Sequence, residues 1–430
     1  MKETIKYIIK EWFDYQLPHI VKRDIPANLL ETNLLLSLCG VRRSGKTYLL
    51  YQIVKKMREK FPTSNILYIN FEDERLYPPT ENMLPQILET YEENFSYNKD
   101  IPLFLLLDEI QNHPAWEITL RRLYDKNRGK RFIITGSSSK LLSSEIAYSL
   151  RGRTLTLEVF PFNFKEILKA KGIEYKEKDL KYSPRRHDII KAFNEYLEFG
   201  GFPQIVFEEM KLEILREYYR SILYRDIVER YRMRNLRLFE SFLKIVVHHS
   251  SGLMSFGKLA NLLKSIGFKV SKNTVIEYLG YLKEAFFAFE VPIFSHSIKD
   301  QLQYPRKIYL VDVGLKNAVS IKTSYELGKL AENIVFLHLR NKEVYYWKNK
   351  AGYEVDFVIR EGLEIKELIQ VCWEVTDEKT MKREIRGLLM AMDEFKLDNA
   401  LILTNDFEDI KKFDKKTIFF KPIWLWLVSL

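Results

Sequence analysis

The stretch Gly40-Val41-Arg42-Arg43-Ser44-Gly45-Lys46-Thr47 constrains this chain more than any other, because it dictates what must lie on either side of it. The pattern G-x-x-x-x-G-K-[ST] needs a strand that ends in a glycine turn, a ring of backbone N–H groups facing an anion, and a helix whose N-terminus points at that anion. Both flanks comply. Leu34 to Cys39 is a short apolar run, and Thr47 to Lys60 reads as a helix. Gly40 and Gly45 permit the tight loop, and Arg43, Ser44 and Tyr48 line the candidate phosphate site. Lys46 would place its ammonium at the β- and γ-phosphates, and the Thr47 hydroxyl would ligate Mg²⁺. A nucleoside triphosphate with Mg²⁺ is the ligand this loop implies.

The surrounding pattern predicts an α/β fold. Asn65 to Phe71 (NILYINF), Leu103 to Leu107 (LFLLL) and Arg131 to Thr135 (RFIIT) are further strand candidates, each followed by helix-like sequence. Continuous apolar strands alternating with helices indicate a parallel sheet covered on both faces. The run LFLLL ends in Asp108-Glu109, which puts two carboxylates at the carboxyl edge of that sheet. There Asp108 would hold Mg²⁺, and Glu109 would orient and deprotonate an attacking water. RFIIT leads into Gly136-Ser137-Ser138-Ser139, a polar cluster able to hydrogen-bond the γ-phosphate or the water. For Ser138 and Ser139 a helix-cap role is an equal alternative.

Composition narrows the class. A chain of 430 residues with 46% hydrophobic content suggests two to four domains with cores of their own. Two cysteines, Cys39 and Cys372, are too few for a disulfide framework, so a cytoplasmic protein is expected. The N-terminus MKETIKYIIKEWFDYQ does not read as a secretory signal, and no uncharged apolar run reaches membrane-spanning length. The net charge of +10 hints at a polyanionic partner.

Taken together, GVRRSGKT, INFEDERL, LLLDEIQNHPAWE, IITGSSSKLL, LRGR, VFPFNFKEIL and FGGFPQIV resemble the prokaryotic, archaeal-type AAA-family ATPases. In that family a P-loop core precedes a helical lid and a C-terminal domain related to the PD-(D/E)xK nucleases. The resemblance favours ATP over GTP. It implies an ATPase core over 1–160, a lid over 161–235, a winged-helix-like domain over 236–318 and a nuclease-like domain over 319–430. By the same likeness Ser137 takes the sensor position. Arg151 and Arg153 stand where the family carries an arginine that contacts the γ-phosphate, in cis or from a neighbouring subunit of a homo-oligomer; a solvated or salt-bridged loop is the even alternative. Gln111, Trp116 and Glu117 read as packing and loop-ordering residues, and Arg220 and Arg225 as a charged helix face.

Three helical patterns, Phe239 to His249, Ser255 to Ile266 and Lys272 to Phe289, precede a polar hairpin-like stretch, as in a winged helix. Between Met254 and Leu310 eight Lys and Arg face four acids. Ser271 would cap the third helix, and Lys272, Lys299, Arg306 and Lys307 are the expected contacts to phosphates of double-stranded DNA. A protein–protein module is the alternative. Further on, VYYWKNKAGYEVDFVIREG and LIQVCWEV resemble the nuclease pattern, with Asp356 as the first carboxylate and Glu332 as an accessory acid. The pair that should be Glu and Lys is Gln370 and Cys372. A neutral amide is a poor ligand for a hard cation, so no cleavage is expected. The tail Phe419 to Leu430 reads as a last core strand or an oligomer contact.

The function these readings imply is Mg²⁺-dependent ATP hydrolysis coupled to domain movement on DNA or a DNA-associated partner. The alternatives are a nucleotide-switched binding module with slow hydrolysis and an ATP-regulated nuclease.

Overall fold

The apolar runs of the N-terminal third become β1 (Leu35–Cys39), β2 (Ile66–Asn70), β3 (Leu103–Asp108), β4 (Lys130–Gly136) and β5 (Thr154–Glu158). The computed structural model describes residues 1–26, 29, 31–126, 129–137, 152–181, 183–320, 326–375 and 378–429. The chain divides into two compact units, residues 1–160 with 284–286, and residues 161–283 with 287–430.

In the first unit the strands form one parallel sheet in the order β2-β3-β4-β1-β5. β1 and β3 are buried along their whole length, as continuous apolar runs covered on both faces must be. The helix Lys46–Arg58 buries Leu49, Leu50, Ile53, Val54 and Met57 in the same core as Leu36, Leu38, Leu106 and Ile133. An N-terminal helix, Lys2–Asp14, joins them. Its buried residues Ile5, Ile8, Ile9 and Trp12 repeat at helical spacing. Each such burial is worth about 1.5–3 kcal/mol, and the Trp12 indole N–H also donates to the Ile66 carbonyl at 2.7 Å.

The second unit begins with four helices, Phe164–Ala170, Pro184–Phe199, Pro203–Phe207 and Lys211–Ser221, the last running on as a wider π-helical stretch, Ile222–Glu229. Then come the helix Leu236–His248, β6 (Leu253–Met254), the helices Phe256–Ser265 and Lys272–Glu284, β7 (Ala288–Val291), a short helix Ile298–Gln303, and β8 (Arg306–Leu310). The three strands pair antiparallel in the order β6-β8-β7. The segment between β7 and β8 is not a free polar hairpin. It carries a helix, and Pro292 and Phe294 bond to Tyr346 in the next sheet (Tyr346 N–H to Pro292 O, 3.0 Å; Phe294 N–H to Tyr346 O, 2.6 Å).

That sheet has six strands: β9 (Glu343–Lys348), β10 (Glu354–Glu361), β11 (Glu364–Val371), β12 (Asn399–Thr404), β13 (Asp409–Phe413) and β14 (Lys416–Pro422), ordered β13-β14-β12-β11-β10-β9. The helices Glu326–Leu339 and Glu378–Phe395 pack with it. The tail departs from expectation. β14 ends at Pro422, and Ile423–Ser429 is a helix that buries Ile423, Trp424, Trp426, Leu427 and Val428.

A cost of burying charge marks the helix Glu326–Leu339. His338 keeps some solvent-accessible surface, but its ring faces the interior, with Nδ1 2.9 Å from the Ile334 carbonyl and Nε2 3.5 Å from the Phe164 N–H. Burial, with the nearby cations Arg340 and Lys165, lowers its pKa to about 4. The folded state therefore favours the neutral ring. Its contribution is complete above the ordinary histidine pKa near 6.5 and is lost as pH falls through 4, a change of at most about 3 kcal/mol. Urea denaturation of wild type and His338→Gln between pH 7 and 4 checks this. The stability gap between them is expected to shrink as the solution is acidified.

Candidate active site

The candidate site lies in the first unit, at the carboxyl edge of the parallel sheet. Gly40 follows β1 at φ +154°, and a Cβ there would overlap the Val159 carbonyl of the strand leaving β5. Gly45, at φ +93°, turns the chain into the helix Lys46–Arg58. Between them Arg43 holds a left-handed backbone with its side chain exposed, and Tyr48 is half exposed with its ring 6.0 Å from that of Tyr51. Inside the loop Ser44 Oγ is buried with no hydrogen-bond partner among the described residues. Lys46 is 4% exposed; its Nζ donates to the Gly40 and Val41 carbonyls, each at 3.2 Å, and lies 3.8 Å from Glu109 Oε1.

Asp108 is the centre of the constellation. Thr47 Oγ1 donates to its Oδ2 at 2.8 Å, Tyr68 OH donates to the same oxygen at 2.9 Å, and Thr135 Oγ1 donates to Oδ1. Burial raises the Asp108 pKa; these three hydrogen bonds oppose the rise, and the adjacent Glu109 charge adds to it. A carboxylate so short of positive charge is suited to a divalent cation, which would lower its pKa and use oxygens already gathered there. Glu109 has a left-handed backbone (φ 52°, ψ 48°), fixed by its N–H donating to Thr135 Oγ1 at 2.9 Å, and Gln111 Nε2 donates to its carboxylate. Ser137 is buried just past Gly136, and parallel pairing of Cys39 with Gly136 sets it alongside Gly40. Residues that suit a nucleotide's phosphates and Mg²⁺ (Gly40, Ser44, Gly45, Lys46, Thr47 and Asp108) are thus brought together by one sheet edge.

Arg153 does not join them. Arg151, like Ser138 and Ser139, lies outside the described residues. Arg153 stands at the opposite edge: its carbonyl receives the Leu35 N–H at the start of β1, and its guanidinium pairs with Asp125 at 2.6 Å and lies over the Tyr124 ring. Five residues of strand separate that point from the phosphate loop, about 16 Å, so Arg153 makes no γ-phosphate contact within its own chain.

Four contributors escaped the sequence reading. Tyr68 and Thr135 reach Asp108 because β2 and β4 flank β3. Arg23 donates to the Ser44 carbonyl at 3.0 Å and the Phe160 carbonyl at 2.6 Å, and Gln52 bonds both the N–H and the C=O of Arg23, each at 2.8 Å. This ties the segment before β1 to the phosphate loop and its helix. No common signal marked them: Tyr68 lies mid-strand, Thr135 ends an apolar run, Gln52 lies on a helix and Arg23 lies before β1. His113 is structural: its Nε2 accepts the Leu84 N–H at 3.2 Å.

In the second unit Lys272 and Lys299 are exposed, and Ser271 Oγ accepts the Thr274 N–H at 3.0 Å, capping the helix as expected. Arg306 and Lys307 require correction. Arg306 pairs with Glu290 and lies over the Phe256 ring; Lys307 is 2% exposed and bound by carboxylates. Neither is presented to a DNA phosphate. Cys39 and Cys372 are buried thiols, and burial pushes Cys39 up to about 12. Among the described residues no helix is long and apolar enough to cross a membrane.

Residues 32–168 match the model of an AAA domain, and residues 190–326 and 327–426 match two domains of unknown function, DUF8612 and DUF4143. The uncharacterized protein MJ1544 of Methanocaldococcus jannaschii is 40% identical over 426 residues, covering 95% of this chain and 91% of its own. A Haemophilus influenzae protein is 28% identical over 400 residues, 92% of this chain and 95% of that one. Among solved structures, the Walker-type ATPase PABY2304 of Pyrococcus abyssi aligns at 17% identity and a TM-score of 0.47, over 71% of this chain and 99% of that one. With two-fifths identity along nearly the full length of both chains, the protein belongs to the family of MJ1544, and its glycine-rich loop and Asp108-Glu109 pair lie within an AAA domain.

Proposed function

We propose that the protein is an ATP hydrolase that works with Mg²⁺. The observation that carries this reading is the clustering at Asp108: a loop hydroxyl from Thr47, Tyr68 and Thr135 converge on one buried carboxylate, while Glu109 stands 3.8 Å from the Lys46 ammonium. When bound, Mg²⁺-ATP supplies the phosphoryl group to be transferred to water. Lys46 and the loop N–H groups would hold the phosphates, and Thr47 and Asp108 would hold the metal. Glu109 takes a proton from the attacking water, and Ser137 lies where it can bond the phosphate or that water. Glu109 is engaged by Lys46 and Gln111, so it must leave the ammonium before acting as a base. That engagement favours, as a second reading, a switch that holds ATP and hydrolyses it slowly.

We further infer that the region from Leu236 to Leu310 is a winged helix that meets double-stranded DNA. The order helix, β6, helix, helix, β7, short helix, β8, with β8 between β6 and β7, supports it. The exposed Lys272, at the start of the capped helix, and Lys299 are the phosphate contacts. Steady-state ATPase assays with and without duplex DNA at two salt concentrations test both parts. Lys46→Ala is expected to abolish turnover and ATP binding. DNA is expected to stimulate wild type, the effect fading at the higher salt and in the Lys272→Ala/Lys299→Ala pair. Unchanged turnover in Lys46→Ala sinks the hydrolase, and salt-insensitive rates with no DNA binding leave a protein–protein module.

A further inference from the structure

Lys307 sits on β8, yet its side chain leaves the three-stranded sheet for the six-stranded one. Its Nζ lies 2.6 Å from Asp356 Oδ1, 2.9 Å from Glu354 Oε1 and 3.0 Å from Glu332 Oε1. An ammonium has three N–H donors, and the cluster offers it three carboxylates, one for each. The site is built around this arrangement. Tyr309 OH donates to Glu332 at 2.6 Å, the Val371 N–H donates to Asp356 Oδ2 at 2.9 Å, and Lys348 holds the other oxygen of Glu354 at 3.1 Å. Gln370 faces elsewhere, accepting the Asp356 N–H at 2.9 Å and donating to Glu384 at 2.7 Å.

Three carboxylates from one helix and one strand, aimed at a single point out of water, are the oxygen set that a hard divalent cation takes. Left without a cation they would repel one another at a cost of several kcal/mol. Here the point is taken by nitrogen. Burial opposes the charge on Lys307, but the fields of Asp356, Glu332 and Glu354 outweigh it and hold the ammonium charged well above its ordinary pKa.

We propose that Lys307 is a built-in counter-cation: its ammonium occupies the position at which Glu332, Glu354 and Asp356 would otherwise collect a divalent metal ion, so the pocket is complete without metal and becomes a metal site only when the lysine is removed. The pocket then has no metal-activated water and acts as a fastening between β8, the helix Glu326–Leu339 and β10. The ammonium does this with charge-assisted hydrogen bonds to Glu332 and Asp356 and an ion pair with Glu354, in an interior that strengthens them.

The test is Mn²⁺ binding to the nucleotide-free full chain, followed by electron paramagnetic resonance, in wild type, Lys307→Ala and Lys307→Ala/Asp356→Asn. Lys307→Ala is expected to bind one more Mn²⁺ per chain than wild type, and the double variant to lose it. Thermal denaturation supplies the second measurement, with added Mn²⁺ raising the Tm of Lys307→Ala and leaving that of wild type unchanged. Mn²⁺ bound by wild type in a manner that Asp356→Asn removes would show that the lysine yields to metal, and overturn the proposal. So would a folded Lys307→Ala with no added site, or one that stays unfolded at millimolar Mn²⁺.

Discussion

Glu109→Gln is expected to lower ATP turnover by about 10²- to 10⁴-fold while ATP binding persists, the range lost when a positioned general base is removed. Glutamine has the shape of glutamate and can still accept from Gln111 and sit beside Lys46, whose Nζ is held by the Gly40 and Val41 carbonyls as well. The left-handed turn at residue 109 is set by its backbone N–H on Thr135, which the substitution leaves alone. What is lost is the capacity to take a proton, together with the negative charge beside Lys46. Single-turnover hydrolysis of pre-bound ATP separates this from a binding defect. A Glu109→Gln protein that hydrolyses ATP at the wild-type rate would mean that water is activated by another group.

Gly201→Ala is expected to destabilise the second unit by about 3 kcal/mol or more, at the upper end of overpacking effects, because the obstacle is backbone. A Cβ at Gly201 would overlap the Phe162 carbonyl, and Phe162 N–H is itself bonded to Gly201 O at 2.7 Å, so the two chains cannot separate without losing that bond. Gly201 N–H donates to Asp312 Oδ2 at 2.7 Å, Gly314 N–H donates to Oδ1 at 2.8 Å, and a Cβ at Gly200 or Gly314 would also strike neighbours. Three glycines thus crowd one buried carboxylate. Gly280, inside the helix Lys272–Glu284 with open space beside it, is the control: Gly280→Ala should be neutral or stabilising by up to about 1 kcal/mol. Equal losses at both positions in urea denaturation would show that steric contact is not the cause.

The elements of the ATPase core were legible because their chemistry sets residue type and spacing together. The phosphate loop needs glycine where the backbone is left-handed, and β3 needs carboxylates where it ends. Tyr68, Thr135, Arg23 and Gln52 were not legible, since their roles arise from strand order and from a segment folded back onto the loop. Lys307 shows the same limit from the other side. Within a basic stretch a lysine reads as solvent-facing, and the acids that claim it lie 25 and 49 positions further along. The terminal helix Ile423–Ser429 was hidden for another reason. A helix buried on most sides loses its polar stripe and cannot be told from a strand by periodicity.

The pairing of Pro292 and Phe294 with Tyr346 bears on how this chain can be cut. β9 is the last strand of the six-stranded sheet, and a bare last strand is a template on which other chains can polymerise. Here residues more than fifty positions upstream shield it, and they fall in the segment 190–326, whereas β9 falls in 327–426. Backbone pairing thus crosses the border between the two matched segments. A fragment that began after residue 326 would leave behind both the shield of its outermost strand and the lysine that neutralises its acidic pocket.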